Sequence, residues 1–211
     1  MPQSNLNHPI GVFDSGLGGL TVVKELLSVL PHENIIYFGD TARVPYGTKS
    51  RETIIRYSRE IAAVLLKHKV KMIVVACNTA SSLALDVLKK ECPVPVVGVI
   101  EPGARKAALS TKRKKIGIIA TQSTVKSGKY MRRIVDFEPK ADVVSQPCPL
   151  FVPLVEEGWF EHDITLRVAK EYLTPLKQKG IDTLILGCTH YPLLKKVIGQ
   201  VMGKKVFLVD S

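Results

Sequence analysis

Short, almost purely apolar runs alternate with longer amphipathic stretches from one end of the chain to the other. The runs fall at 10–13, 35–38, 72–76, 96–99, 116–120, 143–144, 184–186 and 206–209 and are dominated by Val, Ile and Leu. An uninterrupted apolar run of that length predicts a strand buried on both faces, the condition of strands in parallel sheets. Between the runs, residues 19–30, 49–68, 81–90 and 165–179 carry apolar positions at helical spacing. The alternation predicts an α/β architecture.

Most of the predicted strands are followed by a small or polar cluster. These are Asp14-Ser15-Gly16, Gly39-Asp40-Thr41, Cys77-Asn78-Thr79, Glu101-Pro102-Gly103, Thr121-Gln122-Ser123, Cys188-Thr189-His190 and Asp210-Ser211. In open α/β sheets ligands gather at the carboxyl ends of strands. The clusters are therefore where a site is expected.

The chain also repeats itself. Ile10-Gly11-Val12-Phe13-Asp14-Ser15 resembles Ile116-Gly117-Ile118-Ile119-Ala120-Thr121, and the strand near Asn34 matches one near Ala141. Ile73-Val74-Val75-Ala76-Cys77-Asn78-Thr79 resembles Leu184-Ile185-Leu186-Gly187-Cys188-Thr189-His190, and the strand at Val96 matches that at Val206. Four anchors in one order, at offsets of 106 to 111 positions, predict two copies of one α/β unit. The expected fold has two pseudo-symmetric parallel-sheet domains with helices on both faces. The active site is expected in the cleft between them, with one thiol on each side.

Paired thiols have a chemical meaning. Inverting a stereocentre by proton transfer needs a base on one face and an acid on the other. A thiol titrates near pH 8.5 and is moved readily by its neighbours, so it serves as base when ionised and as acid when not. Each thiol then needs its own partner. Asp14 in the first half and His190, two residues beyond Cys188, are the candidates. The alternative for His190 is a satisfied core histidine. For Asp14 it is capping of the following helix, a role compatible with catalysis. The turn holding Gly16, Gly18 and Gly19 does not match the dinucleotide fingerprint G-x-G-x-x-G; close approach of a small carboxylate to its backbone amides fits better. Walker, zincin and nucleophile-elbow motifs are absent.

Composition narrows the field. At 211 residues with 45% apolar and 23% charged positions, the chain can build an ordinary globular core. It has no apolar run long enough to span a membrane and no signal-peptide pattern at its start, so a cytoplasmic protein is expected. The four cysteines, Cys77, Cys92, Cys148 and Cys188, form no C-x-x-C pair, so no metal site is expected and free thiols are. Cys92 and Cys148, each beside proline, are read as structural. The net charge of +11 suits nucleic acid, an acidic membrane surface or an acidic small molecule. Its one dense cluster, Lys112-Arg113-Lys114-Lys115, reads as a solvated turn, which argues against a nucleic-acid partner.

Several longer segments resemble the glutamate racemases: residues 11–20 (GVFDSGLGGL), 37–47 (YFGDTARVPYG), 76–81 (ACNTAS), 99–103, 151–156 and 187–192 (GCTHYP). They run through nearly the whole chain in the family's order. The resemblance implies a cofactor-independent isomerase that interconverts L- and D-glutamate and supplies D-glutamate for peptidoglycan, hence for cell-wall biogenesis and cell shape. It implies that Cys77 and Cys188 are the acid/base thiols, that Asp14 and His190 assist them, and that Glu156 supports His190. It assigns substrate contacts to Asp14, Ser15, Pro45, Tyr46, Gly47, Asn78, Thr79, Thr121, Thr189 and His190. Groups of these types can hold a carboxylate and an ammonium without a metal. The implied domains are 1–98, with 207–211 returning to it, and 99–206; a homodimer is compatible. Family members usually continue for several tens of residues past 206–209, in helices that return to the first domain. A chain stopping at Ser211 is expected to be shortened, with sheet surface exposed and stability or activity reduced. The rival readings are a two-thiol racemase acting on aspartate or another small acid, and a basic nucleic-acid-binding protein with buried thiols.

Overall fold

The computed structural model describes residues 7–210, so residues 1–6 and 211 of the expected domains lie outside the described residues. The chain divides into two compact units, one ending at Val99 and the other beginning at Ile100.

The first unit runs β1 (Ile10–Asp14), α1 (Leu20–Val29), β2 (Ile35–Gly39), α2 (Arg51–Lys67), β3 (Met72–Val75), α3 (Asn78–Leu83), α4 (Leu85–Glu91) and β4 (Val96–Gly98). Two short 3-10 turns, Thr41–Arg43 and Tyr46–Thr48, link β2 to α2. The strands form one parallel sheet in the order β2-β1-β3-β4. Alternation along the strands sends Phe13, Ile73 and Val75 to one face, against Ile54, Ile61, Ala62 and Leu65 of α2 and Leu88 of α4. Ile10, Val12 and Val74 point the other way, onto Val22, Val23 and Leu26 of α1. Burial on both faces is why these strands read as continuous apolar runs rather than alternating ones.

The second unit runs α5 (Ile100–Ser110), β5 (Lys115–Ala120), α6 (Gln122–Ser127), α7 (Lys129–Phe137), β6 (Asp142–Pro147), α8 (Phe151–Glu156), α9 (Asp163–Gln178), β7 (Thr183–Gly187), a 3-10 turn (Tyr191–Leu194), α10 (Lys195–Met202) and β8 (Phe207–Asp210). Its sheet is parallel in the order β6-β5-β7-β8. That is the first unit's order carried over strand for strand, in the pairing the internal repeat predicts. Here too both faces are covered: Ile119, Leu184 and Leu186 meet α8, α9 and α10, while Ile116, Ile118 and Ile185 meet α5 and α7.

One domain expectation is corrected. The segment 207–210 does not return to the first unit: β8 pairs with β7 in register Thr183↔Phe207 to Leu186↔Asp210. It is the edge strand matching β4, as the repeat offset at Val96 and Val206 requires. Other differences concern element limits. The expected helix at 81–90 is two helices, broken at Ala84 and starting already at Asn78. The Glu101-Pro102-Gly103 cluster is the first turn of α5, where a proline costs no hydrogen bond. The basic cluster is an exposed turn: the Lys112 and Arg113 amides and the Thr111 hydroxyl all donate to Asp182, and Lys114 pairs with Glu138.

Candidate active site

In each unit the residues singled out by sequence lie where strands β1, β2, β3, β5 and β7 end, with Glu156 at the end of α8. Asp14, the last residue of β1, is fully buried. A carboxylate in that position needs donors. Its Oδ2 accepts the amides of Gly16 at 3.1 Å and Gly19 at 3.0 Å. Two amides of the glycine turn thus hold the protein's own carboxylate. Asp14 holds the turn that leads into α1, whose N-cap residue Gly19 carries no side-chain cap of its own. Tyr37, on β2, donates its hydroxyl to Gly16 O at 2.5 Å and fixes the turn from the other side.

Cys77 follows β3 and caps α3, its Sγ accepting the Ala80 amide at 3.5 Å. The thiol is buried, and burial together with the neighbouring Asp14 charge pushes it up to about 12, against the opposing hydrogen bonds from Ala80 and Ser15. The shift favours the neutral thiol over the thiolate at Cys77. Asn78 and Thr79, buried in the first turn of α3, lie beside it in the chain, and Ser15 is buried next to Asp14. Pro45 follows a cis peptide, and Tyr46 and Gly47 are buried in the turn after it. The Tyr46 hydroxyl donates to Asp40, a buried carboxylate that also takes Arg43 Nε at 2.9 Å. Asp40 and Tyr37 were not singled out by sequence. An acidic residue in the Gly39-Asp40-Thr41 strand-end cluster was the available signal for the first; Tyr37 carried none.

In the second unit, Cys188 follows β7 and lies with its Sγ 3.8 Å from His190 Nδ1. His190 is buried, and its Nε2 meets Glu156 Oε1 at 2.5 Å. The imidazole therefore bridges thiol and carboxylate, an arrangement that can take a proton from sulfur and hold the resulting charge. Thr189 Oγ1 lies 3.4 Å from the same Nδ1. Thr121 caps α6 through its hydroxyl, at the end of β5. Cys148 is buried and its thiol donates to Gln146 O at 3.6 Å, in keeping with its structural reading; Cys92 is half-buried after α4. Among the described residues, no group of three or more His, Cys, Asp and Glu side chains is arranged to hold a metal ion.

The electrostatics of Cys77 predict its reactivity. With the thiol raised well above its ordinary range, little thiolate is present near neutral pH, so iodoacetamide should label Cys77 slowly and faster as pH rises. Asp14→Asn removes the adjacent negative charge and should speed labelling at fixed pH, read by peptide mass spectrometry on protein of unchanged far-UV signal. Equal or slower labelling would refute the role of the Asp14 charge.

Comparison with known proteins places the chain in a family. The family described as Asp/Glu/Hydantoin racemase matches residues 10–211. A glutamate racemase of Geobacter metallireducens is 56% identical over 202 residues, 96% of this chain and 75% of that protein. Among solved structures, a glutamate racemase of Bacillus anthracis superposes with a TM-score of 0.93 at 41% identity, covering 97% of this chain and 77% of that one. A glutamate racemase of Francisella tularensis in complex with D-glutamate gives 0.88 at 46% identity, covering 97% and 76%.

Proposed function

The chain belongs to the Asp/Glu/hydantoin racemase family, and on that premise we propose how its residues carry out the reaction. The activity is racemisation of glutamate, an isomerase reaction, and the family's role is to provide D-glutamate for peptidoglycan. Relatives named as glutamate racemases, 51% to 56% identical over nearly all of the chain, support that substrate over aspartate.

In the proposed mechanism one thiol removes the α-proton of glutamate as the other delivers a proton to the opposite face. The observation that carries it is the matched position of the two thiols: Cys77 directly follows the strand-end residue Ala76 after β3, and Cys188 directly follows β7, its counterpart in the repeated sheet order. Cys77, held neutral, is the resting acid; Cys188 is the resting base, with His190 taking its proton and Glu156 holding the imidazolium. Asp14 is the group through which Cys77 passes its proton when the direction reverses. Ser15, Pro45, Tyr46, Gly47, Asn78, Thr79, Thr121, Thr189 and His190 complete the substrate contacts. Among the described residues no helix is long and apolar enough to cross a membrane, and we place the enzyme in the cytoplasm.

The test is circular dichroism of L-glutamate incubated with the purified protein and no added cofactor, with L-aspartate in parallel. The glutamate signal should decay to zero and the aspartate signal should persist. Decay with aspartate alone would overturn the substrate assignment.

A further inference from the structure

We infer that Tyr191 is a positioning residue for the His190–Glu156 pair, acting through a hydroxyl that ties together the two chain segments carrying them. The inference rests on the reading of His190 as the proton partner of Cys188.

His190 and Glu156 are 34 positions apart in sequence and sit on separate elements, one after β7 and the other at the end of α8. Their short contact requires those elements to hold a fixed distance. Tyr191 touches both. Its backbone amide donates to Cys188 O at 3.1 Å and closes the turn in which His190 lies. Its hydroxyl donates to Cys148 O at 2.9 Å. That carbonyl also accepts the amide of Phe151 at 3.2 Å, so it is the point from which α8 starts. The Tyr191 ring packs edge-on to Phe151, centroids 5.2 Å apart at 89°. The contacts close a ring: Cys188 to Tyr191, Tyr191 to Cys148, along α8 to Glu156, Glu156 to His190, and His190 back to Cys188.

The side chain is fully buried in the apolar core of this unit. A phenol in such a place is costly unless its hydroxyl is bonded, and Phe would fill the same volume at no polar cost. Burial also pushes the phenol well above its ordinary range, so it stays protonated and remains a donor. The hydroxyl therefore has one use here, to hold α8 against the Cys188 turn. A displacement of about 1 Å in a proton-transfer pair costs on the order of 10²-fold in rate.

Tyr191→Phe keeps the ring and removes the tie. It should lower kcat about 10-fold to 100-fold in both directions, with KM within about threefold of wild type. In the free protein, NMR should show the downfield His190 Nε2–H proton, bonded to Glu156, lost or broadened as in Glu156→Gln. Phe151→Leu loosens the same tie from the α8 side and should move the same signal. Leu176→Val, in the same core but on α9, should leave both the signal and kcat unchanged. A Tyr191→Phe protein with wild-type kcat and an intact signal would overturn the inference, as would Leu176→Val reproducing its changes. If the wild type racemises no glutamate, the functional reading falls, and the His190 signal still decides the role of Tyr191.

Discussion

Serine in place of either Cys77 or Cys188 should lower kcat for glutamate racemisation by about 10³-fold or more, in both directions. Proton transfer by a positioned side chain contributes on the order of 10²–10⁴-fold, and an alkanol is far too weak an acid to replace a thiol at neutral pH. In the proposed mechanism both thiols work in every turnover, one as base and one as acid, so neither loss should confine itself to one enantiomer. The fold should survive the change. Serine is close to cysteine in size, and at position 77 it is among the favoured residues for accepting the Ala80 amide at the start of α3. Circular dichroism of each glutamate enantiomer, with α-proton exchange in D2O followed by NMR, reads the effect. Full activity in both directions from a protein lacking one thiol would refute the two-thiol mechanism.

The second large effect is expected from one methyl group. A Cβ at Gly19 would lie 2.4 Å from Asp14 Cβ and 2.7 Å from the Tyr37 hydroxyl. Neither neighbour is a flexible chain end: Asp14 is buried at the end of the central strand, and Tyr37 is pinned to Gly16 O. Gly19→Ala must therefore push Asp14 or the turn out of place. The stability cost should be about 1–3 kcal/mol, as for overpacking elsewhere. Activity should fall further than stability alone explains, by about 10²-fold in kcat, because Asp14 is the charge beside Cys77. Thermal melting and racemisation kinetics on the same preparation separate the two. A variant as active as wild type would show that the position of Asp14 is immaterial.

The strands were legible in the sequence because central parallel strands are apolar on both faces. The edge strand β6 was less so: only Val143-Val144 stood out of six residues, since Ser145 and Gln146 occupy half-buried edge positions that tolerate polar side chains. Helices α5 to α8 and α10 gave weaker patterns, being short or, in α5, opening on Glu101-Pro102-Gly103. The candidate site residues stood out because they sit at strand ends in two matched copies. What escaped was the layer behind them. Tyr37, Asp40 and Tyr191 act by reaching segments 21, 6 and 43 positions away. A side chain's reach across the fold leaves no periodic trace. The glycine turn's amides were read as anion-binding, and two of them, at Gly16 and Gly19, hold the Asp14 carboxylate, two and five positions away in the chain.

The strand order carries a consequence for how the chain is made. In each sheet the strand that comes first in sequence, β1 or β5, ends up between the next two, and every pairing is parallel. Parallel neighbours meet only through a crossover, so the contacts that complete each sheet are distant in sequence, and such topologies fold slowly. Yet every strand of the first sheet lies before residue 99. During synthesis β1 waits for β3, some 60 residues later, to cover its open side. The first sheet has all its strands before any part of the second is made, so Asp14 and Cys77 can be set in place while Cys188 is still untranslated.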